Sequence, residues 1–99
     1  MRTPTIQQKL GFRARVLLRA LIQAPYRHGS VALAKRELRA FLDMLAPPDE
    51  RWAALVDASI NATDKHARTM ATEDSWARDR AYCALGDYVL GVVAAAAPV

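Results

Sequence analysis

Residues 31–46 read VALAKRELRAFLDMLA. Within them Val31, Ala34, Leu38, Phe41 and Leu45 recur at steps of three, four, three and four, with Leu42 beside them. That is the repeat of one face of an α-helix, and no alternating strand pattern reproduces it. Lys35, Arg36, Arg39 and Asp43 fall on the opposite side. Ser30 precedes the run as a good N-cap, and Pro47-Pro48 follows it, where the residue before a proline avoids the helical region.

The same period continues in both directions. Towards the N-terminus, residues 5–24 place Ile6, Leu10, Ala14, Leu17, Leu21 and Ala24 on one face, widened by Leu18 and Ile22. Thr3 or Thr5 caps this helix, with Pro4 near the start, where a missing N–H is harmless. Arg15, Arg19 and Gln23 lie opposite, and Phe12 and Val16 share that polar side, which hints at a second contact surface. Pro25 ends the helix, and residues 25–30, PYRHGS, form a turn.

Towards the C-terminus, a third helix over residues 49–71 carries Trp52, Val56, Ile60, Thr63, Ala67 and Met70, with Asp49 and Glu50 suited to its first turn. The run Thr72-Glu73-Asp74-Ser75 is rich in cap residues and separates it from a fourth helix over residues 74–95. The alternative is one continuous helix from 49 to about 95. The expectation is an all-α fold: a small antiparallel bundle of about four helices, forming a single domain over residues 1–99.

Composition narrows the function classes. Of 99 residues, 53% are hydrophobic, but 20 of these are alanine, so the core must come from the larger remainder. A single cysteine excludes an internal disulfide framework and any zinc site with two Cys ligands, and fits a reducing, cytoplasmic setting. The net charge of +4 is unevenly spread. Residues 1–36 carry eight basic side chains and no acid, whereas residues 37–99 carry ten acids and six bases. The basic half suits an acidic partner: a protein face, nucleic acid or a membrane surface. The bias of eleven Arg to three Lys and the many alanines are also what a GC-rich genome produces, so the arginines alone do not signal nucleic acid.

The first 30 residues are Arg-rich, acid-free and amphipathic, as a transit peptide is, but the apolar repeat continues in phase through residue 24, as in a packed helix. Residues 81–99 contain one charge, Asp87, whose cost near a bilayer centre of about 2.5–3.5 kcal/mol argues against a span. That run instead reads as a buried helix with two apolar stripes, one for the chain's own core and one for a second subunit. Tyr82, Leu85, Val89 and Val92 are assigned to a homodimer interface, and Asp87 is expected to be buried with an arginine or tyrosine partner.

No constellation demands catalysis or a cofactor. Asp57, Asn61 and Asp64 share a helix face, but an Asp64–Arg68 pair on a solvated surface explains them. Cys83 lacks a nearby histidine and reads as a core residue. No metal site is assigned, and the two histidines, His28 and His66, stand far apart. The expected function is therefore a small non-catalytic interaction or regulatory protein, of adaptor, anti-activator or inhibitor type, docking onto a macromolecular partner. Its expected contacts are Arg13, Arg15, Arg19, Tyr26, Arg27, His28, Lys35 and Arg36, since Arg and Tyr are enriched at binding hot spots. Of these, Arg15, Arg19, Arg27, Lys35 and Arg36 are expected to share one exposed surface. The alternative is a nucleic-acid-binding accessory protein using the same basic surface; the acidic start of the third helix and the missing glycine turn speak against a helix-turn-helix reader.

Overall fold

A computed structural model describes residue 3 and residues 5–96; Pro4, expected near the first helix start, lies outside them. Four helices pack into a bundle: α1 (Ile6–Gln23), α2 (Val31–Leu45), α3 (Arg51–Thr69) and α4 (Thr72–Ala96), with no strand among the described residues. The all-α reading therefore holds. Local chemistry sets most of the boundaries. Thr5 closes a capping box: its hydroxyl accepts from the Gln8 N–H at 3.1 Å, and the Gln8 side chain accepts from the Thr5 N–H at 2.9 Å. Ser30 does the same service for α2, accepting from the Leu33 N–H at 3.0 Å. Ala46 is fully extended before Pro47, as a residue preceding proline must be.

Two boundaries differ from expectation. α3 begins at Arg51, not 49, because Asp49 stays outside the helix and accepts from the Arg51 N–H at 2.9 Å. The break between α3 and α4 falls at Met70-Ala71, ahead of the Thr72–Ser75 run. Met70 adopts a left-handed conformation (φ 54°) and ends α3 as a glycine commonly would, so α4 starts at Thr72. Asp74 then sits within the first turn of α4, where it accepts from the Thr69 hydroxyl and lies 3.5 Å from Lys65 Nζ.

The core draws on all four helices: Ala14, Leu17, Leu18 and Leu21 from α1; Ala34, Leu38, Phe41 and Leu42 from α2; Trp52 and Val56 from α3; Leu85, Val89 and Val93 from α4. α1 runs antiparallel to α4, so that Gly11 lies by Val93 and Tyr26 by Arg78. The loop before α3 is tied to α4 by Tyr88, whose hydroxyl accepts from the Asp49 N–H at 3.0 Å and whose ring lies under the Arg51 guanidinium. In α3 the buried line is Trp52, Val56, Ser59, Thr63 and His66, turned from the expected one: Ile60 and Ala67 are half-buried and Met70 is exposed. Ile6, expected in the core face of α1, is also exposed.

α4 carries the largest correction. Leu85 and Val89 are fully buried inside the chain's own core, and Tyr82 and Val92 are half-buried. The stripe assigned to a second subunit thus serves the intramolecular core. The outward side of α4 is occupied by small residues such as Ala84, Gly91 and Ala94, which raise the hydrophobic count while offering little area. Asp87 is exposed and has no ion-pair or hydrogen-bond partner among the described residues, so its expected burial fails. Cys83 faces solvent for the same reason, two positions from the inward Leu85. No described helix is long and apolar enough to cross a membrane.

Candidate interaction surface

The outward face of α1 follows from its period. With Ala14, Leu17, Leu18 and Leu21 turned inward, Phe12, Arg15, Val16 and Arg19 are left on the solvent side, as their spacing requires. Phe12 is 69% exposed and Val16 42%. Phe12, Arg15, Val16, Arg19, Ala20 and Gln23 line one shallow hollow. Ala20 and Gln23 also border a second, which continues past Arg27 to Leu33, itself 47% exposed. Arg19 reaches the α4 side as well: burial pushes the Tyr82 phenol above its ordinary range, and the nearby Arg19 guanidinium opposes that shift.

Ion pairing divides the chain sharply. From residue 37 onward Arg39, Arg51, Lys65, Arg68 and Arg78 each have a carboxylate within 4 Å, and Arg80 alone lacks one among the described residues. Among described residues before 37, Lys35 alone is paired, 3.7 Å from Asp57. Lys9, Arg13, Arg15, Arg19, Arg27 and Arg36 have no ion pair among the described residues. The acidic half therefore does not cover the basic one: Asp49 and Asp64 are held by Arg51 and Arg68.

The eight expected contact residues do not form one surface. Arg15, Arg19 and Arg27 come together along the α1 hollows. Arg13 faces the other flank of α1, towards α2, beside Leu10, Glu37 and Met44. Lys35 is turned towards α3 by its pair with Asp57. Arg36 is exposed on α2, and His28 is exposed in the turn, in a left-handed conformation (φ 53°). Tyr26 is engaged internally.

That internal engagement is the feature with no signal in sequence spacing. The Tyr26 hydroxyl and His66 Nδ1 share a hydrogen bond of 2.5 Å, and Arg78 Nη1 donates to the Tyr26 oxygen at 2.9 Å and lies 3.2 Å from His66 Nδ1. The Tyr26 contact, ahead of desolvation, raises the Arg78 guanidinium further above its ordinary range. The cluster fastens the turn after α1 to the end of α3 and the start of α4. Among the described residues no group of three His, Cys, Asp or Glu is placed to hold a metal ion.

In comparisons with protein-family models, curated proteins and solved structures, no match was found.

Proposed function

We propose that this chain is a small, non-catalytic interaction protein, of adaptor, anti-activator or inhibitor type, that docks onto an acidic partner protein through the outward face of α1. The observation that carries the reading is the company the free cations keep. Arg15 and Arg19 flank Phe12 and Val16, two exposed apolar side chains, and none of the chain's own acids pairs with them among the described residues. A cationic surface interleaved with apolar area matches the composition of protein interfaces, in which arginine and aromatic residues dominate the energy. A surface selected only for phosphate contact gains nothing from an exposed Val16 or Leu33.

The test is affinity capture from an extract of the source organism, with and without nuclease, using wild type and the double variant Arg15→Glu/Arg19→Glu. Expected is a protein retained after nuclease treatment and lost from the variant. Loss on nuclease treatment, with a steep fall in binding as salt rises, transfers the surface to nucleic acid. Equal capture by wild type and variant removes the α1 face from the account.

A further inference from the structure

We propose that the two joined hollows along α1 form one trough that receives an acidic amphipathic helix of the partner; this rests on the docking function above and names its mode. The hollows, about 460 and 300 Å³, share Ala20 and Gln23 on their common border and so adjoin one another between Phe12 and Leu33. The stretch from Phe12 to Gln23 alone spans about 16 Å, the length of three helical turns. Three large apolar side chains, Phe12, Val16 and Leu33, lie along it. Three arginines, Arg15, Arg19 and Arg27, border it, each without an ion pair among the described residues.

Charge complementarity selects the occupant. Glu37 of α2 borders the second hollow and also lies beside Arg13, whereas the first hollow has Arg15 and Arg19 as its charged residues and no acid in its lining. A ligand there must bring acids to Arg15, Arg19 and Arg27 and apolar side chains to the ridge between them. Residues i, i+3, i+4 and i+7 of a helix present that combination, with carboxylates on the flanks of an apolar stripe. An extended peptide has no sheet edge to join, because no strand exists among the described residues. A polyproline ligand wants a groove lined with aromatic rings, and the trough has only Phe12.

The experiment is a display selection with the full chain as bait and a library of helix-forming peptides of about 18 residues, randomised on the surface. The enriched peptides are then measured by fluorescence anisotropy. Expected is enrichment of peptides with Asp or Glu flanking apolar residues at i, i+4 spacing. Their Kd rises by about tenfold or more for Phe12→Ala and for Arg15→Glu/Arg19→Glu. It stays constant for Met44→Ala, an exposed residue of α2 that borders the other flank of α1. Replacing the peptide's acids with lysine restores binding to the doubly reversed chain. No enrichment, enrichment of neutral or basic peptides, or binding indifferent to Arg15→Glu/Arg19→Glu overturns the proposal. If the captured partner still depends on Arg15 and Arg19 while the peptides fail, the docking function stands and the helical mode falls.

Discussion

His66 shows how one buried polar residue organises an end of the bundle. Its Nδ1 is hydrogen-bonded to the Tyr26 hydroxyl, and the Arg78 guanidinium lies within 3.2 Å of both, so three chain segments meet at one nitrogen. Spacing cannot reveal this, because the partners stand 40 and 12 residues away and none lies on an apolar repeat. Tyr26→Phe removes the bridging hydroxyl and leaves its neighbours under-bonded, at a cost of about 1–3 kcal/mol. Expected is a drop in Tm of at least several degrees, since about 1 kcal/mol moves a chain of this size by roughly 4–8 °C; an unchanged melting curve would mean the cluster contributes no stability. Thr63 is the opposite case. Its hydroxyl is buried and unpartnered, so Thr63→Val keeps the shape and removes an unmet polar group. The variant is expected to melt at or above the wild-type temperature, and a clear loss would show that the oxygen has a partner. Asp74 gives the pH dependence. The Thr69 hydroxyl, then Lys65, hold its carboxyl below the usual 3.8. A pKa lowered on folding stabilises the fold above the unfolded value and loses that contribution as pH falls through the folded one. Wild type should therefore lose more Tm than Asp74→Asn on acidification below about pH 4; parallel profiles would contradict the assignment.

At the level of elements, legibility tracked chemistry that is local in the chain. α1 and α2 were readable because Thr5, Ser30 and Pro47-Pro48 act on their immediate neighbours. The α3–α4 break was displaced because its stop signal is a left-handed methionine, which carries no compositional mark. The buried line of α3 shares Trp52, Val56 and Thr63 with the expected stripe but turns through Ser59 and His66, two polar residues, where the expectation ran through Ile60, Ala67 and Met70. In α4 the count of hydrophobic residues overstates the apolar area, because many of those on its outer side, such as Ala84, Ala94 and Ala95, are alanines. Leu85 and Val89 consequently belong to the chain's own core, and Val89→Asp tests this. An unpaired buried carboxylate costs several kcal/mol, a large part of the roughly 5–15 kcal/mol that holds a small domain. Circular dichroism should show loss of the cooperative transition; a folded monomer arising from a larger wild-type species would restore the interface between chains.

Over the whole molecule, the uneven charge was plain in the sequence, but its consequence depended on where each side chain lands. Acids and bases after residue 36 largely satisfy one another within a turn or two, as Arg39 with Asp43 and Arg68 with Asp64. Among the described bases before it, Lys9, Arg13, Arg15, Arg19, Arg27 and Arg36 are exposed, and Lys35 alone finds an acid, on α3. The excess positive charge is thus concentrated on α1 and the turn that follows, beside Phe12, Val16 and Leu33. Grouping Tyr26 and Lys35 with that surface failed because both are held by contacts that only the folded chain creates. Mutual repulsion among unpaired cations makes the α1 face a place where an acidic partner is favoured by the field and by apolar contact together. The most direct measurement is the amount of partner protein retained, after nuclease treatment, by Arg15→Glu/Arg19→Glu relative to wild type, with the Tm of both recorded. The account predicts loss of the partner at a Tm within a few degrees of wild type, since exposed substitutions cost about 0.5 kcal/mol or less. Full retention by a folded variant would contradict it.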